Sequence, residues 1–345
     1  MSNTPALVGL SLGAGVQSTT CLILSAEGIL PKIDFAAFAD TGMEPRAVYE
    51  NLDRLEREVA RPAGIEIVRV KQGDIRDDAL DPDAEHYAQM PLYIRGRDGR
   101  PHMMRRACTA HYKVRPLKAE VRRRLGYPAP LPVPAGVFAE QWIGMSADEA
   151  SRARFSDVDY IRHEFPLITL KGGGSWHVGW TRQDCLRFLE SRGFGSTPKS
   201  ACTVCPYSGN ARLRRLRDTC RCGHHRNDHA RFNGRQDQAC AHLTGTGREA
   251  QGCGCSGFDN PDWRDAVAFD AAIRHGYARA VARGSALHGE AFVHRSMLPL
   301  DQAPIDHVTR SEWKERQTSL VEPFPEAEDD DRGCSPWACR GEDDE

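Results

Sequence analysis

No apolar run in this 345-residue chain approaches the roughly 20 residues needed to cross a bilayer. The opening residues, MSNTPALVG, lack the basic start and small-residue cleavage pattern of a secretory signal. Together these absences lead us to expect a cytoplasmic protein. No internal repeat is visible. Net charge is nearly absent as well, at −2, and so says little about partners. It hides an asymmetry, with arginine crowding the middle and acid crowding the tail (EAEDDD and GEDDE). Apolar residues themselves are scarce from Thr219 to Phe258, so that stretch cannot fold around a hydrophobic core of its own.

What is present is an ordinary globular composition, 40% hydrophobic and 27% charged, in a chain long enough for a substantial core. Ala6–Leu12 is long enough for one strand, and Gly13, Ala14 and Gly15 supply small residues for a sharp turn. A helix capped by Ser18 or Thr19 is expected next, with Leu22, Ile23 and Ile29 packing inward and Gly28 as a left-handed stop. Strand, glycine turn and helix start form an arrangement whose exposed N–H groups suit a phosphate or sulfate; an ordinary loop between core elements is the alternative.

Asp34–Ala39 reads as a second strand ending at Asp40-Thr41-Gly42. A helix from about Pro45 to Ala60 carries Val48, Leu52, Leu55 and Val59 on one face, and Ile65–Val70 is a third strand. Strands alternating with helices predict an α/β fold, a parallel sheet with helices on both faces. Ligands bind such sheets beyond the carboxyl ends of the strands, where the glycine turn and Asp40–Gly42 both fall. Residues 81–107 read as a long loop. A helix opening on Pro116 follows, then a proline-rich connector, a strand over Phe138–Met145, and Ser146, Asp148, Glu149 and Arg152 just past it. Thr181 and Asp184 resemble a capping box. We therefore divide the chain into a nucleotide-binding α/β domain (1–218), a Cys/His-rich metal-binding insert (219–258), a C-terminal helical part of the main domain (259–320) and an acidic tail (321–345) holding Cys334 and Cys339.

Twelve cysteines in a reducing compartment call for metal rather than disulfides. Cys21 and Cys185 fall among apolar residues and read as core thiols. Cys108, Cys202 and Cys205 form one constellation, suited to an iron–sulfur cluster or to zinc, with a fourth ligand left open. Cys220, Cys222, Cys253 and Cys255 form two CxC knuckles expected to hold zinc, with Cys240 and His229 as replacements. Eight arginines lie between Arg212 and Arg235. They mark a solvated face or, alternatively, a contact to a nucleic-acid backbone. His294 and Arg295 are candidate anion contacts or surface pairs.

Several stretches in this order resemble the PP-loop adenine-nucleotide α-hydrolases, and within them the phosphoadenosine phosphosulfate (PAPS) reductase-like proteins of bacteria and phages. They are Leu10–Thr20 (LSLGAGVQSTT), Phe38–Pro45 (FADTGMEP), Cys108–Leu117 (CTAHYKVRPL), Ile143–Arg152 (IGMSADEASR), Pro166–Ile168, Ser200–Tyr207 (SACTVCPY) and Phe292–Leu300 (FVHRSMLPL). The resemblance implies a Rossmann-like sheet whose turn binds an adenine nucleotide, PAPS or ATP, through Ser11, Gly13, Ala14, Gly15, Gln17, Ser18, Asp40, Thr41 and Gly42, with Arg152, His294 and Arg295 as anion contacts. It implies a 4Fe–4S cluster at Cys108, Cys202 and Cys205, and a tail nucleophile, Cys334 or Cys339, whose thiosulfonate is released by thioredoxin. The chain departs from the reductase pattern in its single cysteine at the first motif and in its tail, GCSPWACRG. Gln17 stands where ATP-cleaving relatives have a carboxylate able to hold magnesium. Sulfonucleotide reduction is the leading expectation. The alternatives are an iron–sulfur-dependent, ATP-using sulfur transferase acting on tRNA or DNA, and a non-catalytic nucleotide-binding module.

Overall fold

The computed structural model describes residues 4–81, 90–96, 101–168, 171–172, 175–176, 179–229, 243–244, 251–252, 255, 257–281, 289–310 and 312–313. In chain order the main elements are β1 (Leu7–Ser11), α1 (Val16–Ala26), β2 (Phe35–Asp40), α2 (Arg46–Leu55), β3 (Glu66–Lys71), α3 (Ile75–Leu80), β4 (Tyr93–Gly96) and β5 (Pro101–Met103). They continue with α4 (Arg115–Arg124), β6 (Ala139–Ile143), β7 (Ile161–Glu164), α5 (Arg182–Ser191), α6 (Asn210–Asp218), α7 (Pro261–Val281) and β8 (Gly289–Phe292). The chain separates into two compact units. The first draws on Met1–Met90 and Arg105–Cys202, the second on Pro91–Met104 and Thr203–Asp330.

The first unit is an α/β layer structure around a five-stranded sheet in the order β3-β2-β1-β6-β7, every neighbouring pair parallel. β2 (FAAFAD) shows why the strands must be covered on both faces: five of its six residues are buried. Ala36 and Phe38 join a core with Leu22 and Leu24 of α1, Val48, Leu52 and Leu55 of α2, and Cys185 and Leu189 of α5. Phe35, Ala37 and Ala39 point the other way, into a core with Leu117 and Val121 of α4 and Ala139 and Ile143 of β6. That alternation is the two-residue period of a strand. The expected inward stripe Val48, Leu52, Leu55, Val59 is buried, although the helix leaves α-geometry after Leu55 for a wider π-type turn over Glu56–Ala60.

Four local expectations are corrected. Gly15, not Ser18 or Thr19, caps α1, and no side chain bonds the cap, because Ser18 and Thr19 already lie within the first helical turns. Gly28 is left-handed as expected, but Ile29 just beyond it is 50% exposed rather than packed. Helical structure ahead of α4 begins at Cys108 rather than Pro116, through a π-type turn over Ala110–Val114, and Pro116 falls in the first α-helical turn. Within 81–107, β4 and β5 pair antiparallel and β8 adds to β4, so these two strands belong to a three-stranded sheet of the second unit. The pairing partner of β4 is about two hundred residues away, which no local pattern reveals. The Thr181–Asp184 capping box is present with both reciprocal bonds.

In the second unit, α7 buries Ala266, Phe269 and Ile273. Its buried Asp270 accepts the N–H groups of Val293 (2.9 Å) and Leu300 (3.0 Å), anchoring the chain after β8. Among the described residues no helix is long and apolar enough to cross a membrane.

Candidate functional site

Strand order reverses between β1 and β6, and a doubly wound sheet opens its ligand crevice beyond the carboxyl ends of the strands at such a switch point. Three expected segments arrive at these ends. Gly13–Ser18 follows β1, Asp40–Gly42 follows β2, and Gly144–Arg152 follows β6. Ser11, the last residue of β1, pairs in register with Ala37 and Ile143 and so aligns the three strand ends.

The turn after β1 is tightly determined. Ala14 takes a left-handed conformation (φ 54°), and Asn51 donates to its carbonyl at 3.0 Å. Ser18 Oγ accepts the Gly13 N–H at 3.2 Å and donates to the Gly15 carbonyl at 3.3 Å. The Gly13 amide is thus used inside the turn, whereas the first amides of α1 have no acceptor within the helix. Glycine is required at Gly144, where a methyl would stand 2.6 Å from Ser18 Cα and N. The end of β6 therefore touches the first turn of α1 backbone to backbone. Gly13 and Gly15 are crowded from another side. A methyl on Gly13 would lie 3.3 Å from Ser200 Oγ, and one on Gly15 3.3 Å from Ser200 Cβ and N.

Gln17 points toward the 3₁₀ turn Ala147–Arg152. Its Nε2 donates to Glu149 Oε2 at 2.8 Å and to Ser146 Oγ at 3.4 Å, while its Oε1 accepts from Arg182 Nη1 at 3.4 Å. Glu149 Oε1 pairs with Arg152. Burial pushes the Glu149 carboxyl above the usual range, the Asp148 charge adds to this, and Arg152 and Arg182 only partly offset it.

After β2, Asp40 Oδ1 accepts from the Gly42 N–H (2.9 Å) and the Tyr49 hydroxyl (2.7 Å). Burial, with Asp40 beside it, raises the Tyr49 phenol well above its ordinary value. Gly42 is left-handed (φ 75°) and its missing side chain leaves room for the Asp74 carboxylate. Thr41 Oγ1 lies 3.7 Å from Cys202 Sγ.

The cysteines divide by environment. Cys21 and Cys185 are sealed in the core, as expected, and burial raises both thiols, Cys185 to about 12. Cys108, Cys202 and Cys205 are all partly exposed; the first two belong to the first unit and Cys205 to the second. In the helical segment opened by Cys108, Lys113 forms a buried ion pair with Glu44 at 2.8 Å.

In the second unit, Cys220, Cys222 and Cys255 bring their sulfurs within 4.8 Å of one another. Cys220 and Cys255 are 3.7 Å apart. Burial raises the Cys220 thiol, but the Asp259 N–H, at 3.2 Å from its sulfur, and contacts from Cys222 and Cys255 outweigh this and lower it overall. Three converging thiols with an amide donor can hold a thiophilic ion. Cys240 and Cys253, the His229 side chain, and the expected nucleophiles Cys334 and Cys339 lie outside the described residues.

Two anion candidates fare differently. His294 is buried, with Nε2 3.0 Å from Asn210 Oδ1 and Nδ1 2.8 Å from Ser296 Oγ, so both ring nitrogens are engaged structurally. Burial, with Arg295 nearby, lowers its pKa. Arg295 is exposed. In the arginine run, Arg214 pairs with Glu312, Arg217 with Asp218 and Asp306, and Arg226 with Asp218; Arg231 and Arg235 lie outside the described residues. Much of the described run thus meets acidic side chains.

Sequence reasoning missed Ser200, Asn51 and Arg182 as parts of the crevice and placed Glu149 there without a partner. The i, i+3 spacing of Glu149 and Arg152 was the available signal for one contact. The others join residues far apart in the chain. Comparison with protein-family models and with curated proteins finds no match for this chain.

Proposed function

We propose that the chain is a PAPS reductase-like enzyme of the PP-loop type, binding an adenine nucleotide over Gly13–Ser18 and Asp40–Gly42 beside an iron–sulfur cluster. One observation carries this reading. Ser200, two residues before Cys202, lies against Gly13 and Gly15, and Cys202 itself approaches Thr41, so the turn and the Cys202 thiol share one wall of the crevice.

The donor chemistry, three thiols, is that of an iron–sulfur cluster. Cys108, Cys202 and Cys205 are partly exposed thiols, unlike the sealed Cys21 and Cys185, and an all-thiol donor set favours iron–sulfur over harder metals. When bound, the cluster supplies a soft, redox-active centre beside the nucleotide. The chain's own residues do the rest: the first amides of α1 bind the anionic group and Arg152 orients it. In reduction, the thiolate of Cys334 or Cys339 attacks the sulfonate sulfur, and the sulfur–oxygen bond to the nucleotide breaks, leaving its electron pair on the nucleotide phosphate. A thioredoxin dithiol then reduces the enzyme thiosulfonate, releasing sulfite and becoming a disulfide. Zinc at Cys220, Cys222 and Cys255 is assigned a structural role, and the reducing chemistry fits a cytoplasmic setting.

Reduction is preferred to ATP-driven sulfur transfer because Gln17 is neutral and the Asp40 carboxylate is engaged by Tyr49 and Gly42. Anaerobic protein loaded with iron, given PAPS and reduced thioredoxin, is expected to release sulfite. Absence of sulfite from iron-loaded protein overturns the reading, and pyrophosphate release from ATP stimulated by tRNA or DNA would replace it with the sulfur-transfer alternative.

A further inference from the structure

Glu149 makes an unusual use of the crevice. It lies just past β6, at the switch point of the sheet, and its side chain is only 21% exposed. One carboxylate oxygen takes the Gln17 amide proton at 2.8 Å and the other takes the Arg152 guanidinium. Arg182 donates to the opposite end of the Gln17 amide, turning its NH₂ toward Glu149, and Asp148 holds the Arg182 backbone N–H at 3.0 Å. Both oxygens of a planar anion are thus met by donors from separate elements, the Gln17 amide and a charge-assisted bond from Arg152. Gln17 also belongs to the first turn of α1, whose amides and dipole favour negative charge. A solvent-exposed i, i+3 pair has no need of these second and third partners.

We infer that Glu149 occupies the seat of a ligand's terminal oxyanion, a phosphoryl or sulfuryl group, between Arg152 and Gln17, and that this ligand binds by displacing the carboxylate. The inference rests on the reading of the crevice as an anionic-nucleotide site, and it adds that the free protein carries its own competitor. Neutralising Glu149 then weakens the acceptor that competes with the ligand for Arg152 and Gln17 and removes a repulsion.

Calorimetric titration of wild-type, Glu149→Gln and Arg152→Gln proteins tests this, using inorganic pyrophosphate, sulfate, ATP and adenosine 5′-phosphosulfate as probes. Glu149→Gln is expected to bind the preferred anion roughly ten-fold more tightly, about the worth of one charge-assisted hydrogen bond, and Arg152→Gln to bind it more weakly than wild type. The stronger inorganic probe tells phosphoryl from sulfuryl. Weaker or unchanged binding by Glu149→Gln overturns the inference, as does no binding of any probe by any variant. If nucleotides bind wild type and Glu149→Gln loses them, the displacement fails while the nucleotide reading stands. If the inorganic anions tighten as expected and the adenosine portion adds nothing, the nucleotide reading fails while the displacement stands. Thermal melting confirms folding, and Glu149→Ala, which also withdraws the carboxylate, replaces Glu149→Gln if that variant melts early.

Discussion

Lys113 and Glu44 form a pair almost without water, their side chains 6% and 1% exposed, in the wall formed by the residues after β2 and the helical segment after Cys108. Desolvating two charges is repaid only while both remain, so losing one partner costs more than the pair contributes. Lys113→Met is expected to destabilise the fold by about 3–5 kcal/mol, and Glu44→Leu with Lys113→Met to recover much of that loss. Urea unfolding of both variants measures it. Glu149 behaves in the opposite sense. Its folded pKa is raised above the ordinary 4.5, so the folded state binds the proton more tightly than the unfolded state and ionisation costs stability. Glu149→Gln should therefore melt higher than wild type at neutral pH, and the difference should shrink as pH falls through the raised pKa and vanish below the ordinary one. A constant difference across that range would contradict the assigned cause.

Among the elements, the junction of β6 with α1 admits no side chain at its closest point. Gly144 admits the backbone of Ser18 where any side chain would collide, so Gly144→Ala must push the first turn of α1 away from the sheet. We expect a loss of about 1–3 kcal/mol in unfolding experiments, with weakened anion binding alongside it, because the same turn carries Gln17 and the first amides. The cap of α5 offers a milder comparison: Thr181→Ala removes a reciprocal capping box and should cost about 1 kcal/mol while leaving Gly13–Ser18 in place.

For the molecule as a whole, the two groups of thiols predict two separable metals. Anaerobic metal analysis is expected to find zinc that is lost in Cys220→Ser, and iron, with its visible absorption, that is lost in Cys202→Ser while zinc remains. Zinc alone in carefully anaerobic preparations would remove the redox account and leave the structural site. Cys108→Ser should lower iron in the same way as Cys202→Ser.

The sequence by itself determined the parallel α/β layer. Apolar runs such as FAAFAD alternate with helical stripes such as Val48, Leu52, Leu55 and Val59, and both periods follow from local backbone geometry. It also determined which thiols are inert, since Cys21 and Cys185 sit among apolar neighbours in the chain, and that the Cys/His-rich stretch contains a set of thiols able to converge. Only the tertiary structure decided what fills the crevice. Ser200 against Gly13, Glu149 against Gln17, and Gly144 against Ser18 are meetings between distant segments, set by the order in which strands pair. Tertiary structure likewise turned His294 from an anion candidate into a buried strut on Asn210 and sent β4 to pair with β8. A side chain's chemistry is written in its own residue, but its partner is chosen by the closure of the fold, and at Gln17 that partner is a carboxylate from the far side of the switch point.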